Sequence, residues 1–238
     1  MHKKYAISAD TATAGGNDYC AAHVIELESV EQVAEYRGHM NPADFGHMLV
    51  NLAIEYGNAL LIIENNSIGL ATVQSALDDE YENLYWTKRG TLDFVDPNDF
   101  DYNDNDIIPG FSTTVRTRPL MIQKYQDYVN DHAMKINSVR TINEMWTFIW
   151  EKGKAQASSG NNDDLTIALS ILLWVRDGAL KMISRTTELN KQKLDLIFKP
   201  KPIEGDDVMF KITGEPRDPW KMTVGPDGAE FDLRELLK

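Results

Sequence analysis

The most constraining feature of this chain is an apolar run that ends in a carboxylate and turns back through a glycine-rich segment. Residues 5–9 (YAISA) lead into Asp10, and a stretch of small residues with Gly15 and Gly16 connects them to a second apolar run at 20–27. Two apolar runs joined in this way predict a β-hairpin. The hairpin places Asp10 at the end of a buried strand, where a carboxylate either caps the turn or needs a cation to balance its charge.

Length and composition are ordinary for a globular protein, since the chain has 238 residues, of which 42% are hydrophobic and 26% are charged. That length suffices for one full hydrophobic core with room for a subdomain. Cys20 is the single cysteine, which excludes an internal disulfide and a cysteine-based zinc cluster and fits a cytosolic protein. No apolar run approaches the roughly 18 residues of a membrane-spanning helix, so we expect no membrane partner.

The net charge of −13 narrows the class of function. Tight non-specific DNA binding by the whole chain is disfavoured, because such binding depends on neutralising phosphates with basic side chains. Clustered acids are also typical of sites for divalent cations. The aspartates between 93 and 106 nevertheless lack the glycine and glutamate positions of an EF-hand loop, which favours a solvated acidic loop. They are Asp93, Asp96, Asp99, Asp101, Asp104 and Asp106.

The order of the predicted elements indicates a mixed α/β fold. Strands at 5–9, 20–27 and 30–37 form an antiparallel meander, and a helix opens at Asn41-Pro42. The continuous apolar run at 59–63 is typical of a strand buried on both faces. The remaining predicted elements are a helix at 68–77, a short strand at 83–86, a helix at 119–131, a hairpin with strands at 146–150 and 155–157, and a buried helix at 165–183.

Three further carboxylates share the position of Asp10, where an apolar element meets a polar connection. Glu64 ends the run at 59–63, at the edge where open α/β sheets place their ligand sites, and Asp163 and Asp164 enter the predicted buried helix. Each also has a structural explanation. Glu64 can cap the next helix, and an Asp at a helix N-terminus is stabilised by the helix dipole.

If the three elements are neighbours, these carboxylates converge on one site. Like charges at close range stay ionised together only when cations join them. Oxygen ligands of this kind select Mg²⁺ or Mn²⁺, and two such ions suit phosphoryl transfer.

Basic residues near the predicted helix at 119–131 are candidates for phosphate contacts. Arg116 and Arg118 alternate in what reads as an extended segment, which places both on one face beside Lys124. Lys152 and Lys154 lie at the tip of the predicted hairpin, where they could contact DNA. The alternative is that the arginines only balance local acid and that the lysines belong to a solvated turn.

The ordered motifs resemble those of the ribonuclease H-like superfamily, and more closely those of the nuclease domain of the large terminase subunit of tailed bacteriophages of the myovirus type. The resemblance implies an α/β fold with a mixed central sheet, in which an antiparallel meander joins parallel strands between flanking helices. We expect the nuclease core at 1–185 and a C-terminal extension packed on it at 186–238. The matching segments are 7–10 with 16–19, 62–66, 117–120, and 163–165 with 168–169.

The resemblance further implies a metal-dependent endonuclease that cuts concatemeric double-stranded viral DNA during genome packaging, with two Mg²⁺ or Mn²⁺ ions per site. Asp10 corresponds to the bridging ligand, Glu64 to the second ligand and Asp164 to the third, and Asp163 is a further candidate ligand. Asp18 matches an acidic position beside the site. Asn162 stands where the family often has a histidine, so proton transfer by a histidine at this position is not implied.

The partners that the resemblance implies are double-stranded DNA, the portal protein and the small terminase subunit, in the host cytoplasm. Because the sequence has no Gly-x-x-x-x-Gly-Lys-Ser/Thr segment, we expect the packaging ATPase to be another domain of the same full-length chain. Two alternatives stay open. One is a resolvase-like nuclease of the same fold, and the other is a non-catalytic module that binds DNA or the portal.

Overall fold

The computed structural model describes residues 3–89, 95, 106–151, 153–198, 221–224 and 229–232. The chain divides into two compact units, residues 1–192 and residues 193–238. The strands are β1 (Tyr5–Asp10), β2 (Cys20–Glu26), β3 (Glu31–Gly38), β4 (Leu60–Ile63), β5 (Trp86–Lys88), β6 (Ile107–Pro109), β7 (Phe148–Glu151), β8 (Lys154–Ala157), β9 (Lys221–Val224) and β10 (Ala229–Asp232). The helices are α1 (Pro42–Glu55), α2 (Gly69–Asp78), α3 (Thr117–Asn130), α4 (Val139–Thr147) and α5 (Asp164–Phe198).

A four-stranded mixed sheet forms the centre of the first unit, in the order β3-β2-β1-β4. The first three strands are an antiparallel meander, and β4 runs parallel to β1. This sheet confirms the predicted combination of a meander with a parallel strand. In the second unit, β9 and β10 pair as an antiparallel hairpin.

The sheet is buried on both faces, because neighbouring residues along β1 and β4 enter different cores. Ile7 and Leu61 belong to a cluster with the apolar side chains of α1 and α2. Ala6 and Ile62 belong to a cluster with the apolar side chains of α3 and α5. The alternation of side chains along a strand explains this division. No helix in the described part of the chain is long and apolar enough to cross a membrane.

Local signals explain where α1 begins and why it lies close to α2. The Asn41 side chain accepts a hydrogen bond from Ala43 N, and Pro42 occupies the first turn. At Gly46 on α1, an added Cβ would lie 2.5 Å from Thr72 O on α2. A side chain at this position would therefore push the two helices apart.

Several boundaries differ from the prediction. The segment predicted as a strand from 146 is helical up to Thr147, the last residue of a helix whose N-cap Ser138 accepts a hydrogen bond from Thr141 N. The most deeply buried residues of α4 are Thr141 and Glu144, whereas Val139, Ile142 and Trp146 lie exposed at helical spacing, a period that the strand prediction from 146 overlooked. The strand predicted at 83–86 is observed at Trp86–Lys88. Helix α3 starts at Thr117 instead of Pro119, and α5 continues as one helix to Phe198.

Candidate metal centre

The carboxylates of Asp10 and Glu64 emerge side by side from the ends of β1 and β4. Ala9 pairs with Ile63 in the parallel register, and Glu64 N donates a hydrogen bond to Ala9 O over 2.9 Å. Gly69 allows α2 to start directly beneath this point, since an added Cβ there would lie only 1.9 Å from Glu64 O. The strand ends and the glycine therefore fix the backbone of Glu64 beside that of Asp10.

The environment of Asp10 disfavours its charged form. Burial raises the pKa of Asp10 well above its usual range, and the charge of Glu64 and a side-chain hydrogen bond with Glu64 raise it further. The charges of Asp164 and Asp163 act in the same direction. Glu64, Asp164 and Asp163 thus all act on Asp10 through their charges. A cation placed among them would relieve the repulsion.

Asp164 is the first residue of α5 and is only 7% exposed. Its Oδ2 accepts a hydrogen bond from Tyr19 N over 3.0 Å, at the end of the glycine-rich turn. Burial raises the pKa of Asp164 to about 6, while the Tyr19 N–H and the Arg37 charge lower it and the charges of Asp18 and Asp163 raise it. The helix therefore presents this carboxylate to the same region as Asp10.

Two contacts hold the start of α5 against the sheet. Ser8 Oγ on β1 donates a hydrogen bond to Ala168 O over 2.6 Å. His23 Nε2 on β2 lies 2.9 Å from Leu165 O, and its Nδ1 lies 2.8 Å from the amide nitrogen of Gln32. Because that amide nitrogen can only donate, Nδ1 accepts and Nε2 donates. Burial lowers the pKa of His23 to about 4, which fits this neutral form.

Asp163 makes a different contact from its neighbour. Its Oδ2 lies 3.4 Å from Arg118 Nη2, and the same guanidinium nitrogen reaches Ala155 O at 3.5 Å. Asp163 is thus engaged by a cation, whereas Asp164 is held by a backbone N–H. The two adjacent acids therefore have different partners, a side-chain cation for Asp163 and a backbone N–H for Asp164.

Asp18 and Asn162 lie at the edge of the site. Asp18 is exposed and acts on Asp164 through its charge. The Asn162 side chain donates a hydrogen bond to Asn17 O over 3.1 Å, which joins the glycine-rich turn to the start of α5. Asp18 therefore acts on Asp164 through its charge, and Asn162 contacts the turn that contains Asp18.

The expectation that Arg116 and Arg118 share one face of an extended segment is wrong, because α3 begins between them. Arg116 precedes the helix and is exposed, while Arg118 lies inside it and is partly buried against Asp163. Lys154 is exposed at the start of β8, and Lys152 lies outside the described residues.

Lys124 is placed away from the carboxylates. Its Nζ lies 2.6 Å from Asp177 Oδ2. Asp177 follows Asp164 on α5 by roughly 20 Å at the usual rise of a helix. The amine is therefore already paired and lies along the helix from the candidate centre.

Sequence reasoning missed two residues that support the site, Arg37 on β3 and Glu144 on α4. Glu144 Oε2 accepts hydrogen bonds from Leu165 N over 2.8 Å and Thr166 N over 3.3 Å. Arg37 Nε lies 3.3 Å from Glu144 Oε1, and its guanidinium stacks 4.1 Å from the centre of the Tyr19 ring. No motif marks either residue, and Glu144 lies in a helix that the sequence analysis did not predict.

The donor set fits a hard divalent cation, since it consists of carboxylate oxygens from three elements, and the neighbouring carboxylates raise the pKa of Asp10. Within the ranges that the structure describes, no three His, Cys, Asp or Glu side chains already surround a common point as ligands. Joint coordination by Asp10, Glu64 and Asp164 would therefore require side-chain rotations from this arrangement.

The arrangement of elements matches solved structures, although no family model matches the chain. The large terminase nuclease of thermophilic phage G20c with bound magnesium superposes with a TM-score of 0.54 and 14% identity, over 72% of this chain and 80% of that chain. The cobalt-bound form gives the same values. A third structure of that nuclease gives a TM-score of 0.52 and 17% identity, over 71% and 80%.

The chain has the fold of a large terminase nuclease. This terminase-nuclease fold is the ribonuclease H-like arrangement that the ordered motifs predicted. At these identities the likeness concerns the fold, so the chemistry must be argued from the side chains of this chain.

Proposed function

We propose that the protein is a metal-dependent endonuclease, the nuclease part of a viral genome-packaging terminase. The observation that carries the proposal is the convergence of Asp10, Glu64 and Asp164 from β1, β4 and α5, with Asp163 beside them. The terminase-nuclease fold supports it, as do the magnesium and cobalt bound to the phage G20c nuclease.

Asp10, Glu64 and Asp164 would hold Mg²⁺ or Mn²⁺, two ions per site. Asp10 would be the central ligand of this set, because both other carboxylates act on it through their charges. Two such ions, when bound, stabilise the attacking and leaving oxygens of a phosphodiester during in-line displacement. The chain itself contributes the fixed placement of three carboxylates on rigid element ends.

Asp164 is the proposed third ligand, and Asp163 the residue that orients Arg118. The Tyr19 N–H holds one oxygen of Asp164 and leaves the other available. Asp163 instead pairs with the Arg118 guanidinium. A phosphate entering the site would compete with Asp163 for Arg118, which places a positive charge where the DNA backbone must approach.

The DNA contacts we propose centre on Arg118, with the exposed side chains of Arg116 and Lys154 farther out. Lys124 is a weaker candidate because it is paired with Asp177, and Lys152 stays a prediction from the sequence. With a net charge of −13, the chain has little electrostatic affinity for DNA of its own. We therefore propose that the ATPase domain of the full-length chain, the portal protein and the small terminase subunit bring concatemeric DNA to the site in the host cytoplasm.

Plasmid cleavage tests this function. Supercoiled double-stranded DNA should be nicked and linearised in the presence of Mg²⁺ or Mn²⁺, and a chelator should stop the reaction. Asp10→Asn should abolish cleavage because it removes the central carboxylate without changing the side-chain volume. Asp78→Asn, at the exposed end of α2, is the matched control and should cleave like the wild type.

Cleavage by Asp10→Asn at the wild-type rate would refute the site. A preference for branched over linear DNA would favour the resolvase-like alternative. Binding of DNA without cleavage under any divalent cation would favour the non-catalytic module.

A further inference from the structure

Glu144 caps a helix that lies far from it in the sequence. The first N–H groups of an α-helix have no acceptor within the helix. At α5, Leu165 N and Thr166 N donate to Glu144 Oε2 over 2.8 and 3.3 Å. Glu144 is only 5% exposed, so its carboxylate is a buried part of the helix start.

Because Glu144 caps the helix, the Asp164 side chain does not need to accept hydrogen bonds from the N–H groups of its own helix. An Asp in the first turn of a helix often satisfies the helix N–H groups itself. Here Glu144 performs that role, and Asp164 Oδ2 accepts from Tyr19 N instead. The division of tasks between the two carboxylates directs Asp164 toward Asp10.

Arg37 connects the cap to the loop that holds Asp164. Its Nε lies 3.3 Å from Glu144 Oε1, and its guanidinium packs over the ring of Tyr19 at 4.1 Å. The backbone N–H of the same Tyr19 binds Asp164. Glu144, Arg37 and Tyr19 thereby form a continuous set of contacts around the start of α5, and the positive charge of Arg37 acts on both the Glu144 and the Asp164 carboxyl groups.

We propose that Glu144 and Arg37 are positioning residues that hold Asp164 in place for cation binding. This inference rests on the proposed function, because it concerns the same metal centre. Neither residue contacts the ion or the DNA. Their effect is to fix the helix start and the Tyr19 loop on either side of the Asp164 carboxylate.

The experiment must separate positioning from a general contribution to stability. The matched control is Arg140→Gln, which breaks an ion pair of 2.9 Å between α4 and Glu35 on β3 without touching α5. Glu144→Ala removes both the cap and the pair with Arg37. Glu144→Gln retains an oxygen for the helix N–H groups but loses the pair.

Mn²⁺ binding is measured on the full chain by electron paramagnetic resonance of the free ion, well below the melting temperature of each variant. Outer residues that orient a ligand typically change metal affinity by about 10–100-fold, and we expect Glu144→Ala to fall in this range and Glu144→Gln to lose less. Arg140→Gln should lower the melting temperature and keep wild-type affinity. In cleavage, the Glu144 variants should need more Mn²⁺ but approach the wild-type rate at saturation.

Wild-type Mn²⁺ affinity in folded Glu144→Ala would overturn this inference while leaving the proposed function intact. If Glu144→Ala does not fold, wild-type affinity in Glu144→Gln has the same meaning. A wild-type protein that binds no Mn²⁺ would overturn the proposed function and this inference together.

Discussion

The two sides of the candidate metal centre are built in different ways. Asp10 and Glu64 stand on adjacent parallel strands, and the sheet register places them together through a backbone hydrogen bond of 2.9 Å. Asp164 stands on a helix that enters from a distant part of the chain and is held by buried side chains of β2, β3 and α4. Sheet pairing specifies the strand side, whereas a polar network specifies the helix side.

This difference predicts different responses to mutation. On the strand side, apolar cores on both faces fix the backbone, so replacing a carboxylate should change the chemistry and leave the geometry intact. On the helix side, each polar partner that is removed leaves another buried group unsatisfied. Substitutions there should change both geometry and stability.

On the helix side, the largest expected effect is on Mn²⁺ binding, and it is seen when the two adjacent acids are replaced one at a time. Asp164→Asn should lose Mn²⁺ binding and plasmid cleavage, because the proposed ligand is gone. Asp163→Asn should retain Mn²⁺ binding, since it removes only the partner of Arg118. Calorimetric titration with Mn²⁺ on both variants measures this, and the opposite ranking would exchange the roles of the two aspartates.

The pH dependence of protein stability tests the strand side of the centre through Asp10. Burial and neighbouring charges raise the pKa of Asp10 well above its usual range, and burial raises that of Asp164 to about 6. The folded state therefore keeps protons that the unfolded state releases above a pH of about 4. The stability from these groups is complete at lower pH and is lost as pH rises through the folded pKa values.

Without metal, the melting temperature of the wild type should therefore fall relative to that of Asp10→Asn as the pH rises from 5 to 8. Mn²⁺ should raise the melting temperature of the wild type at pH 8 and leave Asp10→Asn nearly unchanged, because binding requires ionised carboxylates. Thermal denaturation at both pH values measures the two effects. If the difference in melting temperature between the two proteins did not change with pH, the pKa of Asp10 would not be raised in the folded protein.

The strand side and the helix side of the centre also differ in how well the sequence predicts them. The strand side could be predicted, because apolar runs end visibly at Asp10 and Glu64 and a glycine-rich turn marks the hairpin. The acids at the start of α5 could also be found, since they precede a strongly apolar helix. The support of Asp164 by Glu144 could not be predicted, because Glu144 is a buried polar residue whose partners are set by tertiary packing.

The basic residues show a second limit of the sequence. Arg116 and Arg118 alternate like strand residues, but α3 starts at Thr117, so the two side chains do not share one face of an extended segment. The pairing of Lys124 with Asp177 depends on how α3 packs on α5, which no local pattern reveals.

The smallest expected effects concern DNA affinity. Arg118→Gln should weaken DNA binding and reduce its salt dependence by about one charge, because the proposed phosphate contact of Arg118 would be lost. Lys124→Gln is the control, and it should leave DNA affinity unchanged while slightly lowering stability through the lost pair with Asp177. Fluorescence anisotropy at several salt concentrations compares them. Equal losses in both variants would place the DNA path along α3 instead of at the carboxylates.

The central claim is that carboxylates from separate elements bind divalent cations jointly. A crystal structure of the protein with Mn²⁺, using anomalous scattering to locate the ions, tests it most directly. The account predicts Mn²⁺ ligated by Asp10, Glu64 and Asp164, with Glu144 and Arg37 beside the site but not bound to the metal. Ordered Mn²⁺ only at other positions, with these three carboxylates unligated, would contradict it.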